Sequence, residues 1–465
     1  LLRTPRGMRD FPPKEKRQRE WVIGRICSIF ESYGYEPIET PAMELFEVLQ
    51  GKLGEESDQL LFKILRRGTP LEDLRRGKVS AVSFKDFDEV VDSALRFDLT
   101  VPFARFLAMH RNLPRPFKRY QIQPVWRAER QQRGRFREFY QCDVDVAGSE
   151  SMLADAEIVS IVVETLLDLG FTEFQTHIGH RKILDALVEA AGGQAHARDI
   201  CCAIDKFDKI GMAGVREEMS NRGIPKGIAD DILKRAAIEG SVEEVISHLE
   251  RTLSGTVHGP QGITETRELF EILEAMGVPS QRLVLDLRLV RGLDYYTGPV
   301  YESIVTTPAI GSLTGGGRYD ELIGRFTGQP IPAVGTTIGL ERIIEVMKEF
   351  SMFPEVLTGT EVLVTIFDAS TRNDSLAIAN ELRRAGIRCE VSLQRPKGLK
   401  RQISYASSKE IPLIAVIGPD EIAAGEVTLR AGPKKQRKVK RAEVGKEARL
   451  FLESLREDRT GGGMS

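Results

Sequence analysis

The sequence predicts a multidomain protein of mixed α+β and α/β class: an antiparallel sheet with helices, split by a helical insertion, then a smaller α/β domain. Three observations lead there. At 465 residues the chain exceeds what one ordinary core holds, so two or three domains are the starting expectation. Strand-like runs up to Ala147 give way to helical periodicity from about Arg181 to Ser280 and resume at Leu283 to Val290, which fits an insertion between two halves of one domain. A break at Phe353-Pro354-Glu355-Val356-Leu357-Thr358-Gly359-Thr360 then precedes strands near Val362 to Phe367, Arg388 to Val391 and Ile411 to Ile417, with helices between them. The expected boundaries are 1–180 with 281–352 for the first domain, 181–280 for the insertion, 360–456 for the last domain and 457–465 for a flexible tail.

Taken in order, the first helix is expected from about Lys14 to Tyr33. Val22, Ile26, Ile29 and Tyr33 recur at helical spacing, and Gly34 suits a C-cap. Glu36 to Ala42 is extended but interrupted by Pro37 and Pro41, so it belongs at a sheet edge or interface. Leu60 to Leu95 is charged and irregular and reads as a surface excursion. Phe117 to Trp126 and Phe136 to Ala147 form a hairpin whose basic tip is Glu129-Arg130-Gln131-Gln132-Arg133-Gly134.

Composition narrows the class. Hydrophobic residues at 41% and charged residues at 29% describe a globular chain and exclude disorder as the default. Runs such as Val362 to Phe367 are far shorter than the roughly 20 apolar residues a membrane span requires. Arg3, Arg6 and Arg9 precede no apolar signal stretch, and the expected location is the cytoplasm. Five cysteines without a CxxC pair suit a reducing compartment, and six histidines without an HExxH give no reason to expect a metal site. A net charge of −2 does not exclude an RNA partner, because a phosphate backbone responds to local fields.

The second hairpin strand alternates Arg137, Phe139, Gln141, Asp143 and Asp145 with Phe136, Glu138, Tyr140, Cys142, Val144 and Val146. Alone, its polar side reads first as the solvated face of an antiparallel sheet, and second as the wall of a polar cavity. A second cluster, Leu289 to Gly298, sets Arg291 and adjacent Tyr295 and Tyr296 where an apolar strand ends; it can cup an anion and a small ring, or be a turn with packed tyrosines. Gly315-Gly316-Gly317 before Arg318-Tyr319-Asp320 is by itself a weak signal that a flexible turn would also give. Val334 to Arg342 brings a strand into a helix whose first turn carries an arginine, a geometry suited to a terminal phosphate.

These segments resemble a known set. VWRAERQQRGRFREFYQCDVDVAG and GTTIGLER look like motifs 2 and 3 of class II aminoacyl-tRNA synthetases, and Glu36 to Ala42 resembles the dimer-forming motif 1. LVRGLDYYTGPVYE and GGGRYDEL resemble the two signatures peculiar to histidyl-tRNA synthetases, supported by TPRGMRDF and LRFDLTVPFAR. Together they cover most of the chain in the family's order. Trp126 before the motif 2 arginine departs from the pattern, and Leu60 to Leu95 has no counterpart in it.

The resemblance implies a class II catalytic domain, a C-terminal anticodon-binding domain, a homodimer, ATP as substrate with Mg2+ on its outer phosphates, and tRNA(His) as partner. Carried over by motif position, Arg127 meets the α-phosphate and the histidine carboxylate, and Arg291 stabilises the α-phosphate. Arg135 and Arg342 face the γ-phosphate and Glu129 the adenine amino group. Asp98, Thr100 and Gln141 hold the amino group of histidine, Asp145 and Tyr295 its imidazole, and Tyr296 helps close the pocket. For tRNA, Arg130, Gln132 and Arg133 at the hairpin tip meet the acceptor stem or form a merely solvated loop, and the two readings stand level. Lys434, Lys435, Arg437 and Lys438 form a basic run that, on an anticodon-binding domain, points to RNA. The rival from another class is a catalytically silent relative that senses histidine or tRNA, or regulates another enzyme; such relatives lose catalytic features, and here the arginines at 127, 291 and 342 stand.

One string points elsewhere. His177-Ile178-Gly179-His180 spells the HIGH signature of class I synthetases, but no KMSKS-like segment accompanies it, and the match is taken as coincidence. His177→Ala is therefore expected to leave histidine-dependent ATP–pyrophosphate exchange nearly intact. A collapse of exchange would overturn the class II assignment.

Overall fold

The computed structural model describes residues 2–50, 60–67, 91–290, 295–354, 359–393, 398–433 and 435–460, and for 208 and 456–460 the backbone alone. The chain forms two compact units, residues 1–10 with 19–353 and residues 11–18 with 354–465. The first helix spans Pro13–Ser32, and Val22, Ile26, Ile29 and Phe30 on it are buried in the core of the first unit. It stops because Gly34 turns left-handed at φ +78°, which lets the Tyr35 N–H reach back to the Phe30 carbonyl at 3.1 Å.

Strands of the first unit, in chain order, are β1 (Glu36–Pro37), β2 (Met43–Leu45), β3 (Phe62–Leu65), β4 (Val91–Leu95), β5 (Phe117–Trp126), β6 (Glu138–Ala147), β7 (Gln175–His180), β8 (Leu283–Leu285), β9 (Pro299–Ile304), β10 (Thr314–Arg318) and β11 (Ala333–Ile338). Eight of them make one sheet in the order β1-β5-β6-β11-β10-β9-β7-β8. Its interior pairs are antiparallel, and only the outer strands β1 and β8 run parallel to their neighbours. The proline-bearing strand is thus at an edge, where a missing N–H costs no ladder bond.

Leu60 to Leu95 corrects an expectation. Its described ends are strands β3 and β4, which join β2 in a three-stranded antiparallel sheet, so they belong to the fold and are not a surface excursion. Strands of four and five residues among charges are too short for period-two patterning to register. Residues 68–90, with Arg75-Arg76-Gly77-Lys78, lie outside the described residues. The strand expected over Leu283 to Val290 also ends early, at Leu285: the Asp286 carboxylate accepts the Arg288 N–H at 3.0 Å and turns the chain.

One face of the large sheet is apolar. Cys142, Val144 and Val146 of β6, with Val334 and Ile338 of β11, pack against the helices Pro13–Ser32, Met152–Asp168 and Leu340–Glu349. Between β7 and β8 the chain runs through six α-helices, from Arg181–Ala190 to Gly259–Ala275, with apolar clusters of their own around Ile200 and Ile232 and around Leu187 and Leu249.

In the second unit β12 (Val362–Val364), β13 (Cys389–Val391), β14 (Leu413–Val416), β15 (Glu426–Ala431) and β16 (Lys435–Lys440) order as β13-β12-β14-β15-β16. The first three are parallel, as strand and helix alternation predicts, and β15 and β16 add an antiparallel edge. β16 reads in sequence only as a basic run because, of its six residues, Val439 alone is buried; charged side chains on an edge strand block further pairing. The last helix, Val444–Thr460, takes in residues 457–460 of the expected tail, and 461–465 lie outside the described residues.

Candidate active site

β6 builds the site because its alternation sends apolar groups to one side and polar groups to the other. Gln141, Asp143 and Asp145 are nevertheless buried, at 6%, 3% and 3% exposure. The solvated-face reading of this strand therefore gives way: its polar side lines a cavity of about 930 Å3. Across the sheet Asp145 stands opposite Arg119 of β5 and Gly335 of β11, and Asp143 opposite Gln121 and Thr337.

Glycines keep the floor of the cavity open. The triplet Gly315-Gly316-Gly317 lies in the buried strand β10 and forms no flexible turn. A Cβ at Gly316 would strike the Gly335 carbonyl, one at Gly317 would stand 2.8 Å from the Tyr296 ring, and one at Gly335 would overlap the Asp145 carboxylate. The demand here is close approach, since none of these three needs a left-handed backbone.

Of the residues expected at the site, Asp98, Thr100, Arg127, Glu129, Arg135, Gln141, Asp145, Tyr295, Tyr296 and Arg342 line this one cavity. Asp98 sits in the turn after β4 and accepts the Val101 N–H at 3.2 Å. Arg127 follows β5; its Nε donates to the Phe97 carbonyl at 2.9 Å and its guanidinium lies 5.2 Å from the Phe139 ring centre. Arg135 pairs with Glu129 at 3.1 Å, and Arg342 donates to the Ser312 carbonyl at 2.5 Å. Arg291 lies outside the described residues. Arg130, Gln132 and Arg133 are exposed at the hairpin tip, outside the cavity lining, and Arg133 pairs with Glu349. In the second unit Lys435, Arg437 and Lys438 are exposed on β16, while Lys434 lies outside the described residues.

Residues 7–70 and 71–343 match the family model for histidyl-tRNA synthetase, and 361–449 match the model for an anticodon-binding domain. The chain belongs to the histidyl-tRNA synthetase family. It is 41% identical to the histidine–tRNA ligase of Cytophaga hutchinsonii, over 92% of this chain and 94% of that one. The histidine–tRNA ligase of Phocaeicola vulgatus is also 41% identical, over the same shares. The crystal structure of histidyl-tRNA synthetase from Nostoc sp. superposes with a TM-score of 0.82 at 31% identity, covering 97% of this chain and 99% of that one.

Within this histidyl-tRNA synthetase fold the HIGH string sits at the end of β7, directly before the helix Arg181–Ala190, so its local setting does resemble a strand-to-helix turn. The sheet differs: β7 pairs antiparallel with β9, which no Rossmann sheet core provides. His177 lines the cavity and contacts Asp286 at 3.0 Å, while His180 contacts Glu265 at 2.9 Å.

Sequence reasoning missed two buried residues that hold the site together. Arg119 stands 2.7 Å from Asp145 Oδ2, and the Tyr319 hydroxyl donates to Asp145 Oδ1 at 2.5 Å. The available signal for Arg119 was its place on the same face of β5 as Gln121 and Gln123, opposite the polar side of β6. For Tyr319 it was its place inside the GGGRYDEL signature.

The carboxyls are held under electrostatic strain. Burial pushes Asp98 up to about 6 against the pull of Arg127 and the Val101 N–H, and pushes Asp143 up to about 7 against Arg119. Asp145 is also raised by burial, with Arg119 and the Tyr319 hydroxyl opposing. A carboxyl raised in the folded state above its unfolded value stabilises the fold at low pH, and that contribution is lost as pH rises through the folded value. For Asp143 the window runs from the ordinary carboxylate range to about 7. Asp143→Asn is therefore expected to melt higher than the parent at about pH 8 without ligand, with the difference fading towards about pH 4. Fluorescence of Trp21 and Trp126, the two tryptophans of the chain and both in the first unit, reads this transition. A variant no more stable than the parent at the upper pH would contradict the strain.

Proposed function

We propose that the chain is a histidine–tRNA ligase: it joins histidine to ATP to form histidyl-adenylate with release of pyrophosphate, then passes the histidine to the 3′ end of tRNA(His). The observation that carries this reading is that one cavity gathers arginines suited to a triphosphate with a carboxyl-lined floor suited to an ammonium and an imidazole. Family membership and relatives bearing the ligase name over more than nine-tenths of the chain support it.

In the proposed first step a carboxylate oxygen of histidine attacks the α-phosphorus in line with departing pyrophosphate. The protein's part is positioning and charge neutralisation. Arg127 takes the α-phosphate and the histidine carboxylate, and its tie to the Phe97 carbonyl aims the remaining N–H groups. Arg291 shares the α-phosphate, Arg135 and Arg342 take the γ-phosphate, and Glu129 accepts from the adenine amino group. Mg2+ on the outer phosphates is part of the proposal; Mg2+ keeps phosphate and water oxygens in its shell and needs only one or two protein carboxylates, which fits Glu302 on the cavity wall. It would neutralise charge on the leaving pyrophosphate.

For histidine, Asp98, Thr100 and Gln141 hold the ammonium, and Asp145 with Tyr295 meets the imidazole while Tyr296 closes the side. Buried polar groups of this kind reject ligands that leave them unpaired, so selection is strong without editing. In the second step the terminal ribose hydroxyl attacks the adenylate carbonyl carbon and AMP leaves. Arg130, Gln132 and Arg133 meet the acceptor stem, and the basic run with Lys434, Lys435, Arg437 and Lys438 meets the anticodon arm.

The cytoplasm is the proposed location; among the described residues no helix is long and apolar enough to cross a membrane. A homodimer is proposed on the resemblance of motif 1 and on the exposure of Met43 and Leu45 on β2, and light scattering that finds only monomer would remove it.

Histidine-dependent ATP–pyrophosphate exchange tests the central claim, because a silent sensor binds histidine without exchange. Asp145→Ala is expected to raise the KM for histidine at least on the order of tenfold, the scale of a lost charge-assisted hydrogen bond; an unchanged KM removes Asp145 from the pocket. Reversing Lys435, Arg437 and Lys438 to Glu is expected to weaken tRNA binding and flatten its salt dependence with exchange untouched. Equal tRNA affinity at every salt concentration would exclude that strand from the RNA interface.

A further inference from the structure

The two arginines read onto the γ-phosphate come from different elements, so the gap between them has to be fixed by something else. Arg135 follows the tip of the β5–β6 hairpin, next to Phe136, and Arg342 lies in the first turn of the helix Leu340–Glu349, next to Glu341; all four line the cavity. Hairpin and helix approach closely here: a Cβ on Gly134 would stand 3.1 Å from Arg342 Cγ. Arg133 also pairs with Glu349, but both side chains are exposed, and an exposed pair contributes little.

The segment from Thr4 to Asp10 bridges the two elements. It folds on itself, with the Met8 N–H reaching the Pro5 carbonyl at 3.1 Å and the Thr4 hydroxyl donating to the Met8 carbonyl at 3.0 Å. Gly7 takes a left-handed φ of +82°, and a Cβ there would stand 2.8 Å from Arg137 Cγ. That closeness lets the Gly7 carbonyl accept the Arg137 N–H at 2.9 Å and the Glu138 N–H at 3.4 Å. Two residues on, the Arg9 guanidinium lies 3.2 Å from the Phe136 ring centre and pairs with Glu341. Glu341 is anchored independently, because the buried Arg19 donates to both its oxygens at 2.7 Å and the Tyr140 N–H reaches Oε1 at 3.5 Å. Arg9 stands outside the cavity lining, so its influence on a ligand runs through these partners.

We propose that Arg9 is a positioning residue for ATP: one guanidinium, on Phe136 beside Arg135 and on Glu341 beside Arg342, sets the spacing of the two arginines that clamp the γ-phosphate. This rests on the reading of Arg135 and Arg342 as γ-phosphate residues and deepens it. A planar guanidinium can cover a ring face and meet a carboxylate at its edge at the same time, whereas a lysine ammonium is a point charge on a flexible stem. Spacing matters to such a clamp, since a misplacement of about 1 Å can cost on the order of a hundredfold in rate. Without Arg9 the helix end stays held by Arg19, while the hairpin end loses its contact at Phe136. The defect is therefore confined to the end of the nucleotide that carries the γ-phosphate.

The test compares the affinities of the full chain for ATP and for ADP, each with Mg2+, by calorimetry, alongside the KM values for ATP and histidine in ATP–pyrophosphate exchange. The parent is expected to bind ATP more tightly than ADP. Arg9→Ala is expected to weaken ATP on the order of tenfold, the scale of a lost charge-assisted contact, and to raise the KM for ATP with it, while ADP affinity and the KM for histidine stay near the parent values. Arg9→Lys keeps a cation for Glu341 but not the plane on Phe136, and its ATP-to-ADP ratio is expected to fall between the two. Equal weakening of ATP and ADP, or a matching rise in the KM for histidine, would make Arg9 a general prop of the fold and overturn the proposal. A parent that does not prefer ATP over ADP sinks the γ-phosphate reading itself, whereas a parent preference that survives intact in Arg9→Ala sinks only this inference. Should Arg9→Ala not fold, the ratio in Arg9→Lys decides: a narrowed preference supports the clamp, and an unchanged one removes Arg9 from it.

Discussion

A strand that carries Gln141, Asp143 and Asp145 on one side and Cys142, Val144 and Val146 on the other can lie inside a sheet only if each side meets matching chemistry. The apolar side is covered by three helices, and the polar side by Arg119, Thr337 and Tyr319. The antiparallel register sets this match. A slip of one residue between β5 and β6 would bring Arg119 against an apolar neighbour and leave Asp145 without its cation. The same register places Gly335 beside Asp145, where any side chain would occupy the carboxylate's space.

Around that strand the protein spends further charges on holding the frame. Glu341, at the start of the helix after β11, accepts two hydrogen bonds from the buried Arg19, each at 2.7 Å, and pairs with Arg9, which lies over the Phe136 ring. Burial alone would raise the Glu341 carboxyl, but Arg19 and Arg9 together hold it below the ordinary value. Arg342, the next residue, turns to the cavity wall, so one helical turn serves the frame and the site. Arg318 has a similar structural part, tying Asp155 and the Ser149 and Ser151 carbonyls to the end of β10. Removing one partner of such a buried pair leaves an uncompensated charge and costs about 3–5 kcal/mol.

The cavity is therefore built against the stability of the fold. Asp98, Asp143 and Asp145 are ionised only with difficulty there, because burial disfavours the charge that a cationic ligand would reward. Gln141 Oε1 and Asp143 Oδ1 are buried without a partner among the described residues. Acceptors left open on a rigid sheet cost stability in the free protein and lower the reorganisation needed when donors arrive.

Much was legible in the sequence because local rules carry it. The hairpin of β5 and β6 follows from alternation, the end of the first helix from Gly34, and the α/β order of the second unit from strands and helices taking turns. That Asp98, Arg127, Gln141, Asp145 and Arg342 belong together, as residues lining one cavity, was legible only through the motifs that contain them. Their side chains come from four separate stretches that no local rule brings together, and only the folded sheet sets them around one cavity. Short strands such as β3 and β4 stayed hidden because four or five residues among charges leave no period to read, and β16 because an edge strand of lysines and arginines looks like a solvated run. Arg119 was out of reach for a different reason. A charged residue in a strand reads as exposed until the partner that allows its burial is known, and that partner, Asp145, is 26 residues away in sequence and 2.7 Å away in space. The sequence by itself determined the elements and the chemical types available; the tertiary structure decided which charges are buried together, because only cross-strand register brings Arg119 to Asp145.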